Sequence, residues 1–325
     1  MSTPSDPARP RVMLVGLGPT SESALEGLHG HTEVVALIRD TDDSAAARAR
    51  ELGVPVIGDA SLDSVRMSVQ AHLPDCVVVS SYHRILPADL VQSCPFVNVH
   101  YAPLPRLRGR ATVNWAIING DTEAWISIHW LVAGLDAGGL LFQDSVPITD
   151  TSTVATMYTA LNDLQRRHLA AAVRAAIRGD VGQSQDERHA TYACTRVESD
   201  GEIDWQQSTR QIDRLVRALV APYPGAFTWL GLERLYVDRA VPVDDAAPYE
   251  GRIPGRVVAR RETAGTVDVL TGDGILRLHH VRLGDQPSAR AADVIRSVRT
   301  TLGLSASDLI PLLTKFRAHR DAPSR

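Results

Sequence analysis

The chain has 325 residues, of which 44% are hydrophobic and 22% are charged, and its formal net charge is -4. This composition is typical of a globular protein with two domains, and the acidic charge argues against a protein built to bind nucleic acid or a membrane surface. Three separated cysteines without a CxxC pair argue against a disulfide framework or a structural metal site, so we expect a cytoplasmic protein without a metal. No apolar run is long enough to span a membrane, and the first ten residues, which lack a signal-peptide pattern, are expected to be frayed.

Strands and helices alternate along the first half of the chain. The predicted strands are continuous apolar runs at residues 11–16, 33–38, 54–57, 75–80 and 96–100, and the predicted helices cover residues 21–28, 43–52, 64–72 and 87–92. Strands without polar alternation are typical of a parallel sheet that is buried on both faces. The pattern therefore predicts an α/β fold with an open, mostly parallel Rossmann-like sheet, which binds ligands at the carboxyl ends of its strands.

The second half of the chain changes to short alternating strands. Before the change, the sequence predicts a strand at residues 125–131, with an antiparallel orientation as one option, a Gly-rich loop at 133–139 and one long helix at 153–178. Five later segments are separated by Gly and Asp turns: AFTWLG, ERLYVDRA, GRVVARRE, TVDVLT and ILRLHHVRL. Their spacing is typical of a small barrel or sandwich, and we expect an OB-like β-barrel. The predicted organisation is an α/β domain (1–180), a linker (181–205) and a β-barrel-like domain (206–325) that ends in a short amphipathic helix after Asp293.

The Gly16-Leu17-Gly18 turn after the first strand suggests a dinucleotide site. A dinucleotide fingerprint needs a third glycine, and Ser21 stands in its place. The second α/β half of a dinucleotide fold is also missing. We therefore interpret this segment as a strand-to-helix turn, and a nicotinamide fluorescence titration would test the alternative of an NAD-dependent enzyme.

A more specific signal lies at the end of the strand at residues 96–100. Asn98 and His100 are two residues apart, so they share one face of the strand. Each alone could be a turn former or a hydrogen-bonded core group, but together they stand at the edge where an α/β sheet binds ligands. The Gly-rich loop at 133–139 adds Asp136, its only acid. An amide can stabilise an oxyanion, an imidazole can move a proton and a carboxylate can fix the imidazole tautomer, so this set suits direct acyl transfer to an external amine.

Several motifs in this order resemble those of the 10-formyltetrahydrofolate-dependent formyltransferases. The segment NVHYAPLPRLRG (98–109) is similar to the family's Asn-x-His strand followed by SLLPxxRG. LDAG (135–138), GEIDW (201–205) and APYPGAF (221–227) resemble the later motifs. The resemblance covers residues 11–284, nearly the whole chain.

By this resemblance, Asn98 would stabilise the oxyanion of the tetrahedral intermediate, His100 would handle the proton of the amine, and Asp136 would tune His100. The co-substrate would be 10-formyltetrahydrofolate, lying across the strand ends. The residues implied to bind it are Arg84, Ile85 and Leu86 through their backbone groups, Val132, Ala133, Gly134 and Leu135 in the second loop, and Arg110 nearby.

The chain departs from the family pattern at three positions. Ala102 replaces the usual Ser of SLLP and Pro103 the next Leu, which changes the hydrogen bonding of that loop. Trp125 replaces a customary Gly, and this aromatic side chain either reshapes an acceptor pocket or only packs. None of these departures touches the three candidate catalytic residues.

The resemblance leaves several acceptors open. Members of the family formylate sugar-nucleotide amines, amino-acid precursors of siderophores such as hydroxyornithine, or methionyl-tRNA. Residues 108–120 are more similar to the UDP-4-amino-4-deoxy-L-arabinose formyltransferases, which have GRAPLNW and Asn-Gly here. The loop at 39–48 is short and partly acidic where the tRNA enzymes are basic, although residues 252–325 carry 13 Lys and Arg against 7 Asp and Glu, a net of +6. We therefore expect an amino-sugar nucleotide as acceptor rather than nucleic acid, and a monomer or homodimer.

Candidate acceptor residues lie in the basic loop and in the connector after the long helix. Arg106, Arg108 and Arg110 would meet phosphate, with Asn114 and Trp115 near the sugar or base, while Tyr192 and Thr195 would close one side of the cleft. Loop salt bridges and core packing are the alternative interpretation of the loop residues. A non-catalytic folate- or nucleotide-binding module is a further alternative, which loss of a catalytic residue would have favoured.

Overall fold

The computed structural model describes residues 9–304 and 309–310. Contacts within the chain divide it into two compact units. The first contains the described residues up to Thr195 except 117–120 and 151–155, and the second contains those two segments and the residues from Arg196 onward. This division falls inside the predicted linker. The predicted frayed start and the end of the predicted C-terminal tail lie outside the described residues.

In its described part, the first unit has nine strands. They are β1 Arg11–Gly16, β2 Glu33–Ile38, β3 Val56–Ile57, β4 Cys76–Ser80, β5 Phe96–His100, β6 Arg108–Gly109, β7 Glu123–Trp130, β8 Leu140–Pro147 and β9 Tyr192–Ala193. Seven of them form one sheet in the order β3-β2-β1-β4-β5-β7-β8, in which β1 to β5 are parallel and β7 and β8 antiparallel. The predicted mostly parallel sheet is confirmed, and β6 and β9 form a separate parallel pair.

Six helices begin in the first half of the described chain. They are α1 Gly18–Leu28, α2 Ser44–Glu51, α3 Leu62–His72, α4 Ala88–Val91, α5 Thr112–Asn119 and α6 Val154–Ile177. Side-chain caps explain two of the starts, because Asp43 accepts from two backbone N–H groups of α2 and Ser61 accepts from one of α3. The structure also explains the first glycine turn: a Cβ at Gly16 would lie 1.9 Å from the Ser80 carbonyl oxygen, so close strand packing requires glycine there.

The second unit is an antiparallel sheet with short helices. Its strands are β10 Ala226–Leu230, β11 Glu233–Pro242, β12 Val257–Arg261, β13 Thr266–Leu270, β14 Ile275–Leu283 and β15 Ala289–Arg290, and its helices are α7 Thr209–Ala218 and α8 Ala291–Val294. The strand order is β10-β11-β14-β13-β12, with β15 on β14. Buried residues on alternate strand positions, such as Leu276 and Leu278, form its core. The predicted change to a separate domain of short antiparallel strands is confirmed, because each of the five predicted segments overlaps one of these strands.

The pairing of β5 positions the candidate site. β5 lies between β4, which is parallel, and β7, which is antiparallel, and Asn98 stands opposite His129. The loop after β7 starts beside Phe96, whose carbonyl accepts from the Leu131 N–H at 2.9 Å, and then turns back toward Asn98. Within the described residues, no helix has the length and apolar character needed to cross a membrane.

Candidate active site

The structure brings Asn98, His100 and Asp136 together. Asn98 Nδ2 donates to Asp136 Oδ1 at 3.4 Å, and His100 Nδ1 lies 3.8 Å from Asp136 Oδ2. The side chains of His100 and Asp136 are only 9% and 12% exposed. Because carboxylate, imidazole and amide interact more strongly when water is largely excluded, this is a site where charge and proton transfer can be controlled.

Asp136 is held in a backbone conformation that is uncommon for residues other than glycine. Its φ is +47°, in the left-handed region that is unfavourable for residues with a Cβ. The Gly109 N–H donates to Asp136 Oδ2 at 2.9 Å, and Gln185 Nε2 donates to the Asp136 carbonyl at 2.8 Å. At Gly138, a Cβ would lie 1.8 Å from the Trp130 carbonyl oxygen, so the loop can pass this strand end only with glycine.

His100 is fixed through its other ring nitrogen. Nε2 donates to the Leu107 carbonyl at 2.9 Å, which leaves Nδ1 directed to Asp136. Leu107 has a φ of +57° and its N–H donates to the Thr191 hydroxyl at 2.9 Å. The loop that follows β5 therefore sets the orientation of the imidazole.

A second histidine, His129, is part of the site and was not predicted. It is 1% exposed, and its Nδ1 donates to the Trp130 carbonyl at 2.8 Å. Its Nε2 therefore accepts from Asn98 Nδ2 at 3.1 Å, and this bond fixes which way the Asn98 amide points. Burial lowers the pKa of His129 to about 4, against the opposing effect of Asp136, so the ring stays neutral near pH 7. The alternating pattern of WISIHWL was the available signal, since it places a histidine among apolar residues of a strand.

The residues implied to bind folate lie in two loops with exposed apolar side chains. Ile85 is 84% exposed, Leu135 54% and Val132 43%, and such side chains fit a flat heteroaromatic ring. Leu86 differs, because its side chain is buried in the same hydrophobic cluster against which Leu131 packs, so only its backbone is available. The remaining predicted residues of this set are exposed: Arg84, Arg110, Ala133 and Gly134.

Two of the predicted acceptor residues are buried. The Arg108 side chain is 2% exposed and its guanidinium binds Glu187 through two bonds of 2.7 and 2.9 Å and Gln185 at 2.8 Å. Asn114 is 0% exposed. Neither side chain can meet an acceptor in this structure, so the prediction of Arg108 as a phosphate ligand and Asn114 as a sugar contact is wrong. The alternative of salt bridging and core packing describes them.

The other predicted acceptor residues remain accessible. Arg106 is exposed and lies 3.6 Å from Asp121, Tyr192 is 65% exposed, and Thr195 is exposed. Trp115 is half-buried, and its indole N–H donates to the carbonyl of Cys194 at 2.9 Å. Across residues 9–304 and 309–310, no three His, Cys, Asp or Glu side chains are grouped so that they could hold a metal ion.

The sequence matches two family models in order along the chain. A model described as "Formyl transferase" matches residues 25–173, and one described as "Formyl transferase, C-terminal domain" matches residues 197–299. The methionyl-tRNA formyltransferase of Thiobacillus denitrificans is 34% identical over 303 residues, which cover 87% of this chain and 94% of that protein.

Solved structures show the same fold at lower identity. HypX from Aquifex aeolicus in complex with tetrahydrofolic acid has a TM-score of 0.65 and 19% identity; the match covers 90% of this chain and 48% of HypX, so this chain spans about half of that protein. WlaRD, a sugar 3N-formyl transferase solved in the presence of dTDP and 5-N-formyl-THF, has a TM-score of 0.62 and 14% identity over 86% of this chain and 99% of its own. The N-formyltransferase from Helicobacter canadensis in complex with folinic acid and dTDP-3-aminofucose has a TM-score of 0.63 and 16% identity over 82% and 97%.

The family suggested by the motifs is thereby confirmed, together with formyl transfer as the activity and 10-formyltetrahydrofolate as the formyl donor that the family uses. Asn98, His100 and Asp136 meet in the part of the chain that the first model matches. This chain belongs to the formyltransferases.

Proposed function

We propose that the chain transfers the formyl group of 10-formyltetrahydrofolate to the amine of an amino-sugar nucleotide, with Asn98, His100 and Asp136 as catalytic residues. The observation that supports this chemistry is the meeting of the three side chains around one point, with no Ser or Cys nucleophile required. Bound folate would supply an activated formyl group. Ile85, Val132 and Leu135 would cover its pterin ring.

The contacts suggest a role in the reaction for each of the three proposed catalytic side chains. The acceptor nitrogen forms a bond to the formyl carbon, and the bond from that carbon to the folate nitrogen breaks. His100 Nδ1 takes the proton that the acceptor amine loses and returns it to the leaving nitrogen, while Asp136, at 3.8 Å, stabilises the imidazolium in between. One hydrogen of the Asn98 amide is donated to His129. The other amide hydrogen makes only a long contact of 3.4 Å to Asp136, so it can turn to the formyl oxygen.

The charge of the second unit supports a small acceptor. Residues 196–325 carry 19 Lys and Arg against 17 Asp and Glu, a net of +2. Eight of these arginines are already in ion pairs with carboxylates: Arg210, Arg217, Arg234, Arg260, Arg261, Arg277, Arg282 and Arg290. A protein that binds tRNA needs cations that are available to phosphates. A sugar nucleotide has only a diphosphate to meet.

The accessible residues near the site have the chemistry for such an acceptor. Arg106 and Arg110 are exposed cations on the loop that carries the Gly109 contact to Asp136. Tyr192, exposed on β9, pairs with β6 of that loop and offers an aromatic face for a base or sugar. These three residues, together with Thr195, are accordingly our proposal for the acceptor side.

Methionyl-tRNA is the second candidate acceptor, because the 34% identical relative from Thiobacillus denitrificans carries that name and is covered along 94% of its length. A hydroxyornithine-type amine is the remaining alternative from the sequence. The deciding experiment presents the chain with 10-formyltetrahydrofolate and each acceptor in turn: amino-sugar nucleotides, hydroxyornithine and Met-tRNA. Mass spectrometry of each acceptor detects an added formyl group.

We expect formylation of a 4-amino-sugar nucleotide, a weak dependence of the rate on salt, and no formylation of Met-tRNA. Binding of tRNA would instead weaken steeply with salt, because phosphate contacts release counterions. Efficient formylation of Met-tRNA, or of hydroxyornithine alone, would overturn the acceptor assignment while leaving formyl transfer in place. Formylation of that acceptor by His100→Ala at the wild-type rate would overturn the catalytic assignment.

A further inference from the structure

The segment at residues 185–195, which we call the strap, contacts the loop that carries Asp136 and the loop that orients His100. At one end, Gln185 binds the loop of Asp136. At the other end, the Thr191 hydroxyl accepts from the N–H of Leu107, whose carbonyl holds His100. The strap also pairs with β6 through Tyr192. It lies about fifty positions beyond Asp136 in the sequence, and nothing in the motifs of the site marks it.

Gln185 uses its whole amide in these contacts. Nε2 donates one hydrogen to the Asp136 carbonyl and the other to the Gly138 carbonyl, each at 2.8 Å. Oε1 accepts from Arg108 Nη2 at 2.8 Å. Only one orientation of the amide satisfies all three bonds, so the side chain is fixed in place by its partners.

Arg108 completes the clamp from the other side. Its guanidinium is bound by both oxygens of Glu187, which lies two residues after Gln185 in the strap. Arg108 is followed directly by Gly109, whose N–H binds the Asp136 carboxylate at 2.9 Å. Gln185 thus holds the backbone of Asp136, and Gly109 holds its carboxylate. Gln185 also binds Arg108, the residue before Gly109.

Such a clamp is needed because Asp136 has a φ of +47°. A residue with a Cβ is strained in this region of φ, and the conformation persists where neighbouring contacts enforce it. The bond from Gln185 holds the Asp136 backbone through its carbonyl. Loss of the Gln185 donors therefore frees the backbone to relax and moves the carboxylate away from His100 and Asn98.

We propose that Gln185 is a positioning residue for formyl transfer: its two amide hydrogens hold the Asp136 loop in the conformation that places the carboxylate beside His100 Nδ1. This inference rests on the proposed role of Asp136. It also gives a function to Arg108, which positions Gln185 instead of meeting a phosphate.

The first test is independent of the acceptor. Hydrogen–deuterium exchange of the full chain, followed by mass spectrometry, measures the amides of residues 132–139 in the wild type, Gln185→Ala and Gln185→Glu. Gln185→Glu keeps the size of the side chain and an oxygen for Arg108, but loses both donors to the carbonyls. Gln183→Ala is the matched control, because Gln183 is exposed and contacts Leu140 only through backbone groups in the described residues.

We expect faster exchange of this loop in both Gln185 variants and unchanged exchange in Gln183→Ala. With the acceptor that the wild type formylates, kcat should fall roughly a hundredfold in both Gln185 variants, as a displacement of about 1 Å does. Unchanged loop exchange in Gln185→Ala, or faster exchange with a wild-type kcat, overturns the proposal.

A double-mutant comparison separates positioning from a general effect on the fold. If Gln185 acts through the Asp136 carboxylate, then Gln185→Ala should cost nothing further in a chain that already carries Asp136→Asn. An equal loss in both backgrounds contradicts positioning and indicates a purely structural role. Wild-type activity of Asp136→Asn itself would instead refute the proposed function, so the two failures are distinguishable.

Discussion

The buried neutral histidine of the site makes a quantitative prediction about stability and pH. His129 is 1% exposed, and burial lowers its pKa from the ordinary 6.5 to about 4. In the unfolded chain the same ring takes up a proton at the ordinary value. Between pH 6.5 and pH 4 protons therefore bind to the unfolded state and favour it, so the stability that His129 contributes is complete above pH 6.5 and is lost as the pH falls to 4.

The magnitude follows from the size of the shift. Each pH unit corresponds to about 1.4 kcal/mol, so the difference between 6.5 and about 4 amounts to about 3 kcal/mol. His129→Gln removes the titrating group and keeps a side chain that can accept a hydrogen bond from Asn98. The variant loses packing at every pH, but that loss is constant and cancels when the pH dependence of the two proteins is compared.

The assay is urea denaturation of the full chain at pH 7, 6, 5 and 4, followed by tryptophan fluorescence and circular dichroism. We expect the free energy of unfolding of the wild type to fall by about 3 kcal/mol more than that of His129→Gln over this range. Agreement between the two probes checks that one transition is being measured. Parallel curves for the two proteins would show that His129 is protonated equally in both states and would refute the assignment of a buried neutral ring.

Three further predictions concern activity and folate binding. Steady-state kinetics should show that kcat falls by roughly two to four orders of magnitude, with little change in folate affinity, in each of Asn98→Ala, His100→Ala and Asp136→Ala. Double variants should lose little more activity than single ones, and full additivity of the losses would show that the three residues do not act as a unit. Gly138→Ala should displace the loop and lower kcat roughly a hundredfold, because its Cβ would lie 1.8 Å from a carbonyl oxygen at the end of β7. Gly58→Ala is the control and should be as active as the wild type, because a Cβ at Gly58 meets nothing within 4 Å. Isothermal titration should show binding of 5-formyltetrahydrofolate without NAD, metal or ATP, and binding of NAD in its place would contradict the folate site.

The three candidate catalytic residues that the structure brings together were predicted from local sequence pattern. The period of two in a strand placed Asn98 and His100 on one face, and the position of that strand in an α/β order placed them at a ligand-binding edge. Asp136 was found because it is the only acid in a Gly-rich loop. Such signals are local, so they can be recognised in the sequence without knowledge of the fold.

The residues that were missed are defined by partners far away in the sequence. His129 joins the site because β7 is antiparallel with a register that sets it opposite Asn98, and the sequence does not fix that register. Arg108 looked like a free cation because its partner Glu187 is 79 residues away. Helix α7 was not predicted, although the capping box of Ser208 and Gln211 is a local signal for its start.

The strap also decides where this protein can be divided. A fragment ending at residue 180, where the α/β pattern of the sequence ends, would retain every strand of the large sheet and all three candidate catalytic residues. It would lack Gln185, Glu187 and Thr191, and with them the contacts that hold the Asp136 loop and the Leu107 backbone. A chimaera that takes the residues from Arg196 onward from another formyltransferase should therefore be joined after Thr195. The strap then stays with the candidate catalytic residues that it contacts.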